Sequence, residues 1–285
     1  MPAQIIDGVK IANKIKEGLK EEIQKLKAEG KSPSLAAIQV GTDPGSEVYI
    51  RSQKKSCEKM GIEYNLHKFD EKITQTELAD FIQKLNQNPG VSGIILQMPL
   101  PSHLDARYLQ HLIDPKKDAE GVSPTNMGMV VYGKPVLGPC TAMAVIELIK
   151  STGVELYGKE AVMVGHSDIV GKPTALLLLD KFVTTSVCHI ATGERGILPD
   201  YVKRGEILIV AVGKANLIKG EWIREGAIVI DVGINRVGGK IVGDVEFEVA
   251  KERASYITPV PGGVGPVTTA MLLKNTVEAA KLQIK

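Results

Sequence analysis

The sequence predicts an α/β protein of two domains, each built on a mostly parallel sheet. Apolar runs of strand length alternate with longer segments of helical period, glycine and proline clusters punctuate them, and the alternation restarts after a long helical stretch near 139–153. Repeated strand, helix, strand order implies parallel pairing with both faces covered, because a parallel neighbour is reached only through a crossover. With 285 residues, 44% hydrophobic content and 29 glycines, the chain suits one large or two ordinary compact domains and not a disordered one.

Each element follows from local pattern. Val9, Ile11, Ile15, Leu19, Ile23 and Leu26 recur mostly three or four apart with Lys and Glu between them, and Gly30 ends the helix predicted over 9–29. SLAAIQVG (34–41) reads as a buried strand, and a helix over 46–60 stops before Gly61. A strand over 64–69 precedes a helix opened by Thr74, with Glu77 at capping-box spacing. VSGIILQMPLP (91–101) is an apolar strand running into a proline-bounded loop, and PCTAMAVIELIKSTG (139–153) is a long helix leading out of the first sheet. The second set has a strand at 160–164, a polar loop between Gly165 and Gly171, and Pro173 at a helix start. Strands at 184–188, 206–211 and 227–232 and a last helix over 266–282 complete it.

Composition narrows the function. Lys plus Arg number 35 and Asp plus Glu 33, without a long run of either sign, so neither nucleic acid nor a membrane surface is an expected partner; a small molecule is. Cys57, Cys140 and Cys188 show no CxxC spacing, which argues against a disulfide framework or zinc knuckle and for reduced, buried thiols in a cytoplasmic protein. His67, His103, His111, His166 and His189 show no HxH or HExxH spacing, so no metal site is expected. MPAQIIDGVK lacks the basic-then-apolar order of a leader, and no stretch reaches about 18 apolar residues. A soluble, unprocessed chain is expected.

Ligands of open α/β sheets bind at the carboxyl ends of strands, which nominates GTDPGS (41–46), QMPLP (97–101), GHSDIVG (165–171), VGIN (232–235) and PVPGGVGP (259–266). GHSDIVG departs from the GxGxxG dinucleotide fingerprint: its glycines are six apart, and the next strand ends in Cys188, His189 and Ile190 with no acid. Spacing alone leaves a dinucleotide site and a structural turn equally open, although the helix start near Lys172 could receive a phosphate. By default His166 reads as a surface histidine, Asp118 and Glu120 in KKDAEG as a solvated turn, and VYIRSQKK (48–55) as an exposed basic helix face. Gln97, a lone amide between Leu96 and Met98, needs partners if buried.

Taken together, SEVYI with MGI behind it, GIILQMPLP, KDAEGVSPTNMG, PCT, VMVGHSDIVGKP, GEWI, GAIVIDVGIN, IVGD and RASYITPVPGGVGPVT resemble the methylenetetrahydrofolate dehydrogenase/cyclohydrolase family over nearly the whole chain. The resemblance implies a folate-binding catalytic domain over 1–147 joined by the C-terminal helix 267–285, a Rossmann-like NAD(P)-binding domain over 148–266, and a cleft between them. It implies catalytic roles at Tyr49, Gln53, Gln97 and Glu120, and substrate contacts at Tyr49, Gln97, Met98, Glu120, Pro261 and Gly262. It places NADP or NAD against Thr141, Gly165, His166, Ser167, Ile190, Gly213 and Ile234, with a tetrahydrofolate substrate, no metal, and a homodimer.

Three departures from the family pattern matter. Gln53 stands where the family has lysine, Glu120 where it has aspartate, and His166 and Ile190 where it commonly has the arginine and serine that hold the 2′-phosphate of NADP. Hydride transfer needs alignment and no protein base, so oxidation of methylenetetrahydrofolate is expected to survive. Hydrolysis of the methenyl product needs a proton carrier, which an amide is not, so the cyclohydrolase activity is expected to be weak or absent. Two alternatives stand beside this: a fully bifunctional enzyme using another carrier, such as water held by Gln53 and Lys54, or a non-catalytic folate- or nucleotide-binding protein.

Overall fold

The computed structural model describes residues 2–284, apart from the side chain of Pro44. The chain begins with β1 (Gln4–Ile5) and α1 (Gly8–Ala28), then alternates through β2 (Ser34–Val40), α2 (Pro44–Met60), β3 (Glu63–Phe69), α3 (Gln75–Gln87) and β4 (Gly93–Leu96). Three helices follow, α4 (Ala106–Leu112), α5 (Pro124–Val131) and α6 (Cys140–Lys150). The second alternation runs through β5 (Glu160–Val164), α7 (Gly171–Leu179), β6 (Thr184–Cys188), α8 (Ile190–Glu194), α9 (Leu198–Arg204), β7 (Ile207–Val210) and β8 (Ile228–Asp231). A hairpin of β9 (Asn235–Val237) and β10 (Lys240–Val242) leads to α10 (Phe247–Arg253), β11 (Tyr256–Ile257) and α11 (Val264–Leu282).

These elements form two compact units. The first comprises Lys14–Cys140 with Thr269–Lys285. Its sheet is parallel in the order β3-β2-β4, and every residue of the central strand β2 is buried. Ala36, Ile38, Ile94 and Leu96 pack with Leu78 and Ile82 of α3 in one core cluster. The predicted capping box opens α3: Thr74 Oγ1 accepts from the Glu77 N–H at 3.2 Å and Glu77 Oε2 accepts from the Thr74 N–H at 2.9 Å. Helix α2 starts where Asp43 Oδ2 accepts from the Ser46 N–H at 2.7 Å, and it ends at left-handed Gly61. On β3, His67 and Phe69 meet the Phe81 ring of α3 edge-on, each at 4.9 Å. Strand alternation therefore turns Tyr64 to the other face, the one carrying α2.

The second unit comprises Met1–Asn13 with Thr141–Thr268. Its six strands are parallel in the order β1-β11-β8-β7-β5-β6. Strands β7 and β8 are buried throughout, as expected of inner strands covered on both faces. Val162, Val164, Leu208, Val210 and Val229 form the centre of its core.

Packing divides the chain differently from the 1–147 and 148–266 division read from sequence. Gln4 and Ile5 pair with Tyr256 and Ile257, which takes the first residues into the second unit, and the later boundary falls at Cys140 and Thr141. A two-residue strand is too short to show a period. Helices α4 and α5, of 7 and 8 residues, escape periodicity for the same reason. The strand in VSGIILQMPLP is confined to Gly93–Leu96, since Pro99 and Pro101 offer no N–H to a ladder.

All three cysteines are buried and free. Among the described residues no group of three or more His, Cys, Asp or Glu is placed to hold a metal ion, and no helix is long and apolar enough to cross a membrane.

Candidate active site

Tyr49 and Gln53 stand one turn apart on α2 and so leave the same face of the helix. Tyr49 is 43% exposed, while Gln53 is only 8% exposed. The Gln97 backbone, just beyond β4, donates to Ile38 O at 2.8 Å and fixes its side chain at the sheet end. Gln97 Nε2 donates to Gln53 Oε1 at 2.8 Å, and the Tyr64 hydroxyl donates to the same oxygen at 3.0 Å. The buried amide of Gln97 thus has the partner its burial demands. The cluster is uncharged, and burial pushes the Tyr64 phenol well above the ordinary tyrosine range, so it keeps its proton. Burial also raises Tyr49, whose hydroxyl makes no hydrogen bond to another described residue.

VYIRSQKK is therefore only partly a solvated face. Arg51, Ser52, Lys54 and Lys55 are exposed, but Ile50 and Gln53 are buried. Lys54 lies about 100° further round the helix than Gln53. Its ammonium stands 3.9 Å from Glu58 Oε1, with both side chains more than half exposed. Met98, 42% exposed, precedes Pro99 through a cis peptide bond.

The KKDAEG turn is not solvated either. Asp118 is buried, and its carboxylate accepts from the Gly121 N–H at 2.9 Å, the Ser123 N–H at 2.7 Å and Asn126 Nδ2 at 2.9 Å. Ile94 of β4 donates to Lys117 O and accepts from the Ala119 N–H, strapping the turn beside the strand. Asn275 on α11 donates to Ala119 O at 3.0 Å and to Gly138 O at 2.8 Å, and the Cys140 N–H donates to Glu120 O at 3.1 Å. Glu120 is thereby held on a fixed backbone. Burial first, and the charge of Asp118 second, push its carboxyl up to about 8.

In the second unit the nominated residues stand at the carboxyl ends of neighbouring strands: Gly165, His166 and Ser167 after β5, Ile190 after β6, Gly213 after β7 and Ile234 after β8. Gly165 has a φ of +118°, and a Cβ there would stand 2.3 Å from Ala211 O; one on Gly171 would stand 2.2 Å from Gly165 O. The six-residue glycine spacing is what lets this turn fold back on itself. His166 and His189 meet edge-on with ring centroids 5.4 Å apart, and Ile190 and Ile234 are 76% and 49% exposed. Thr141 lies in the first turn of α6, and Pro261 and Gly262 lie in the loop before α11.

Residues 6–120 match the model of the tetrahydrofolate dehydrogenase/cyclohydrolase catalytic domain, and residues 139–284 match the model of that family's NAD(P)-binding domain. The chain belongs to the tetrahydrofolate dehydrogenase/cyclohydrolase family. It is 51% identical over 286 residues to the bifunctional protein FolD of Acetivibrio thermocellus, covering 100% of this chain and 99% of that one. Among solved structures, the bifunctional FolD of Campylobacter jejuni superposes with a TM-score of 0.95 at 45% identity, covering 99% of this chain and 100% of the other. The FolD of Trypanosoma brucei, determined with NADP cofactor and an inhibitor, gives 0.94 at 40% identity over 99% and 98% of the two chains.

For a member of this family, the second unit suits a dinucleotide. Gly165 and Gly171 let the turn after β5 pack backbone against backbone at the carboxyl end of the sheet, and the exposed apolar side chains of Ile190 and Ile234 beside it suit flat rings. Sequence reasoning missed the residues that hold this family's loops in place. Asp244, fully buried, accepts from the N–H groups of Val212, Gly213 and Lys214 at 2.7, 2.9 and 2.8 Å and from Asn235 Nδ2 at 2.9 Å. Asp231 accepts from the N–H groups of Gly233, Asp244 and Val245 at 3.0, 3.0 and 2.9 Å. The aspartates inside VID and VGD were the visible signal. For Tyr64 and Asn275 no sequence signal stands out beyond strand parity at Tyr64.

Proposed function

We propose that this chain is a methylenetetrahydrofolate dehydrogenase using NAD or NADP, and that its cyclohydrolase step is slow. The observation that carries the reading is the bonding of Gln53, whose oxygen accepts from two neutral donors, Tyr64 and Gln97. Bound NAD(P) supplies the hydride acceptor. Oxidation at the methylene bridge leaves a cation stabilised by the folate's own amine nitrogens, so the chain has to align the substrate and exclude water. Alignment of this kind is worth roughly 7 kcal/mol or more of barrier. Tyr49 stacks on or hydrogen-bonds the substrate, Gln53 and Gln97 orient it, and Glu120 takes pterin N–H groups; Met98, Pro261 and Gly262 are carried as contacts on the resemblance alone.

Hydrolysis has a different demand. Water must be activated at the methenyl carbon and a proton delivered to the departing nitrogen, work that a positioned acid or base typically accelerates by about 10²- to 10⁴-fold. Gln53 cannot exchange a proton, Tyr64 holds its own, and Lys54 points towards Glu58. Measuring oxidation and hydrolysis on the same purified protein tests the reading; comparable rates refute it.

A second reading, full bifunctionality, has two supports. The relative at 51% identity is named bifunctional, and Glu120, pushed up to about 8, can exchange a proton near neutral pH. In that case Glu120→Gln abolishes hydrolysis; if hydrolysis is already slow, it leaves that rate where it was.

Cofactor discrimination is relaxed in this proposal. Ile190 offers the 2′-phosphate no polar atom, and a neutral histidine at His166 grips it less than a bidentate arginine. The efficiencies kcat/KM with NAD and NADP are expected within about tenfold, the equivalent of one charge-assisted hydrogen bond. A strong preference for NADP refutes this part alone. The protein is read as a cytoplasmic homodimer.

A further inference from the structure

We infer that Tyr64 is a positioning residue for the oxidation: its hydroxyl holds the Gln53 amide with the oxygen inward, so that Gln53 presents its NH2 to the folate as a fixed neutral donor. The inference rests on the placement of Gln53 at the substrate, as proposed above.

A glutamine oxygen has two lone pairs, and both of those on Gln53 are taken, by Tyr64 at 3.0 Å and by Gln97 Nε2 at 2.8 Å. What Gln53 retains is its NH2, and what Gln97 retains is its carbonyl oxygen. The contact between the two amides is by itself symmetric. If both flip together, donor and acceptor exchange at the same heavy-atom separation. Tyr64 breaks the symmetry. Among the described residues its hydroxyl has Gln53 as its hydrogen-bond partner, so the flipped arrangement would leave a partly buried phenol proton without an acceptor, which is costly. Burial of the phenol keeps it a donor across the working pH range. The substrate therefore meets a donor from α2 and an acceptor from the end of β4, in that order and not the reverse.

Tyr64→Phe removes one oxygen atom and tests this directly. A donor to a non-reacting part of the substrate is lost as binding, so the folate KM for oxidation is expected to rise by about 3- to 10-fold with kcat and the cofactor KM little changed. In a Gln53→Ala background the same change should move the folate KM less than about twofold, because Tyr64 acts through Gln53. An equal effect in both backgrounds, or a fall in kcat with no change in KM, overturns the inference. Should Tyr64→Phe fail to fold, Gln53→Glu tests the donor itself: its carboxylate accepts from Tyr64 and Gln97 as the amide oxygen does but has no NH2 to offer, so the folate KM rises, and an unchanged KM overturns the inference. Fast hydrolysis by the unmodified protein would refute the slow-cyclohydrolase reading without touching these outcomes.

Discussion

Replacing Gln53 by lysine puts an ammonium where the uncharged cluster now stands. The side chain is 8% exposed, and its oxygen accepts two hydrogen bonds that lysine cannot accept. The ammonium can donate to the Tyr64 oxygen and, after an amide flip, to the Gln97 oxygen, but it accepts nothing, so the Tyr64 phenol proton loses its acceptor. That loss and the desolvation of the ammonium make the substitution destabilising by roughly 1–3 kcal/mol, the range for an imperfectly matched buried polar group. At about 2–4 °C per kcal/mol, that lowers Tm by roughly 2–12 °C. The catalytic gain should be larger. A positioned proton carrier contributes about 10²- to 10⁴-fold, or roughly 2.7–5.4 kcal/mol of barrier at 1.36 kcal/mol per decade. The assay follows reduced nicotinamide with the methylene substrate and loss of the methenyl chromophore, on both proteins. Oxidation should change little while hydrolysis rises at least about 10²-fold. If a folded Gln53→Lys protein hydrolyses the methenyl substrate at the native rate, the missing amine at this position is not what limits hydrolysis.

Three further outcomes follow from the same geometry. Glu120 takes up a proton on folding, because its carboxyl is pushed up to about 8; the stability this gives is present below the ordinary glutamate range and is lost as pH rises through 8. Thermal melts from pH 5 to 9 should fall less steeply for Glu120→Gln; and if Glu120 accepts pterin N–H groups as proposed, folate affinity should tighten with rising pH in the native protein only. Asp244→Asn points an NH2 at a nest of backbone donors and leaves one or two buried N–H groups unpaired, destabilising by about 2–4 kcal/mol; a denaturant midpoint equivalent to under about 0.5 kcal/mol would show that the nest is not needed. Burial raises all three thiols, Cys57 to about 12, Cys188 to about 11 and Cys140 well above the usual range, so a thiol reagent at pH 8 should find none until denaturant is added, when it should find three.

Much of the fold was legible because its longer elements carry strong local signals. SLAAIQV is apolar enough to be nothing but an inner strand, and the Thr74 and Glu77 capping box formed as spaced. What escaped was short or reciprocal. β1 exists because β11 is there to pair with it, a fact written in neither segment alone. At the candidate site, Gln97 announced itself as a polar residue in an apolar run, whereas Tyr64 looks like any strand tyrosine until α2 is laid across it. The solvated reading of KKDAEG failed because Asp118 and Glu120, two residues apart in sequence, face different surroundings, one saturated by N–H donors and the other pressed towards neutrality by burial.

The paired aspartates of the second unit also constrain how this protein can change over generations. A Cβ on Gly243 would stand 1.9 Å from Asp231 Oδ2, and one on Gly233 would stand 2.2 Å from the Asp244 carboxyl carbon. Neither glycine can take a side chain without displacing the carboxylate it touches, so the two acids and two glycines are packed as one block. Ile190 and His166 are exposed and outside that block. With the cofactor placed as proposed, substitutions at those two positions would leave the aspartate–glycine packing untouched.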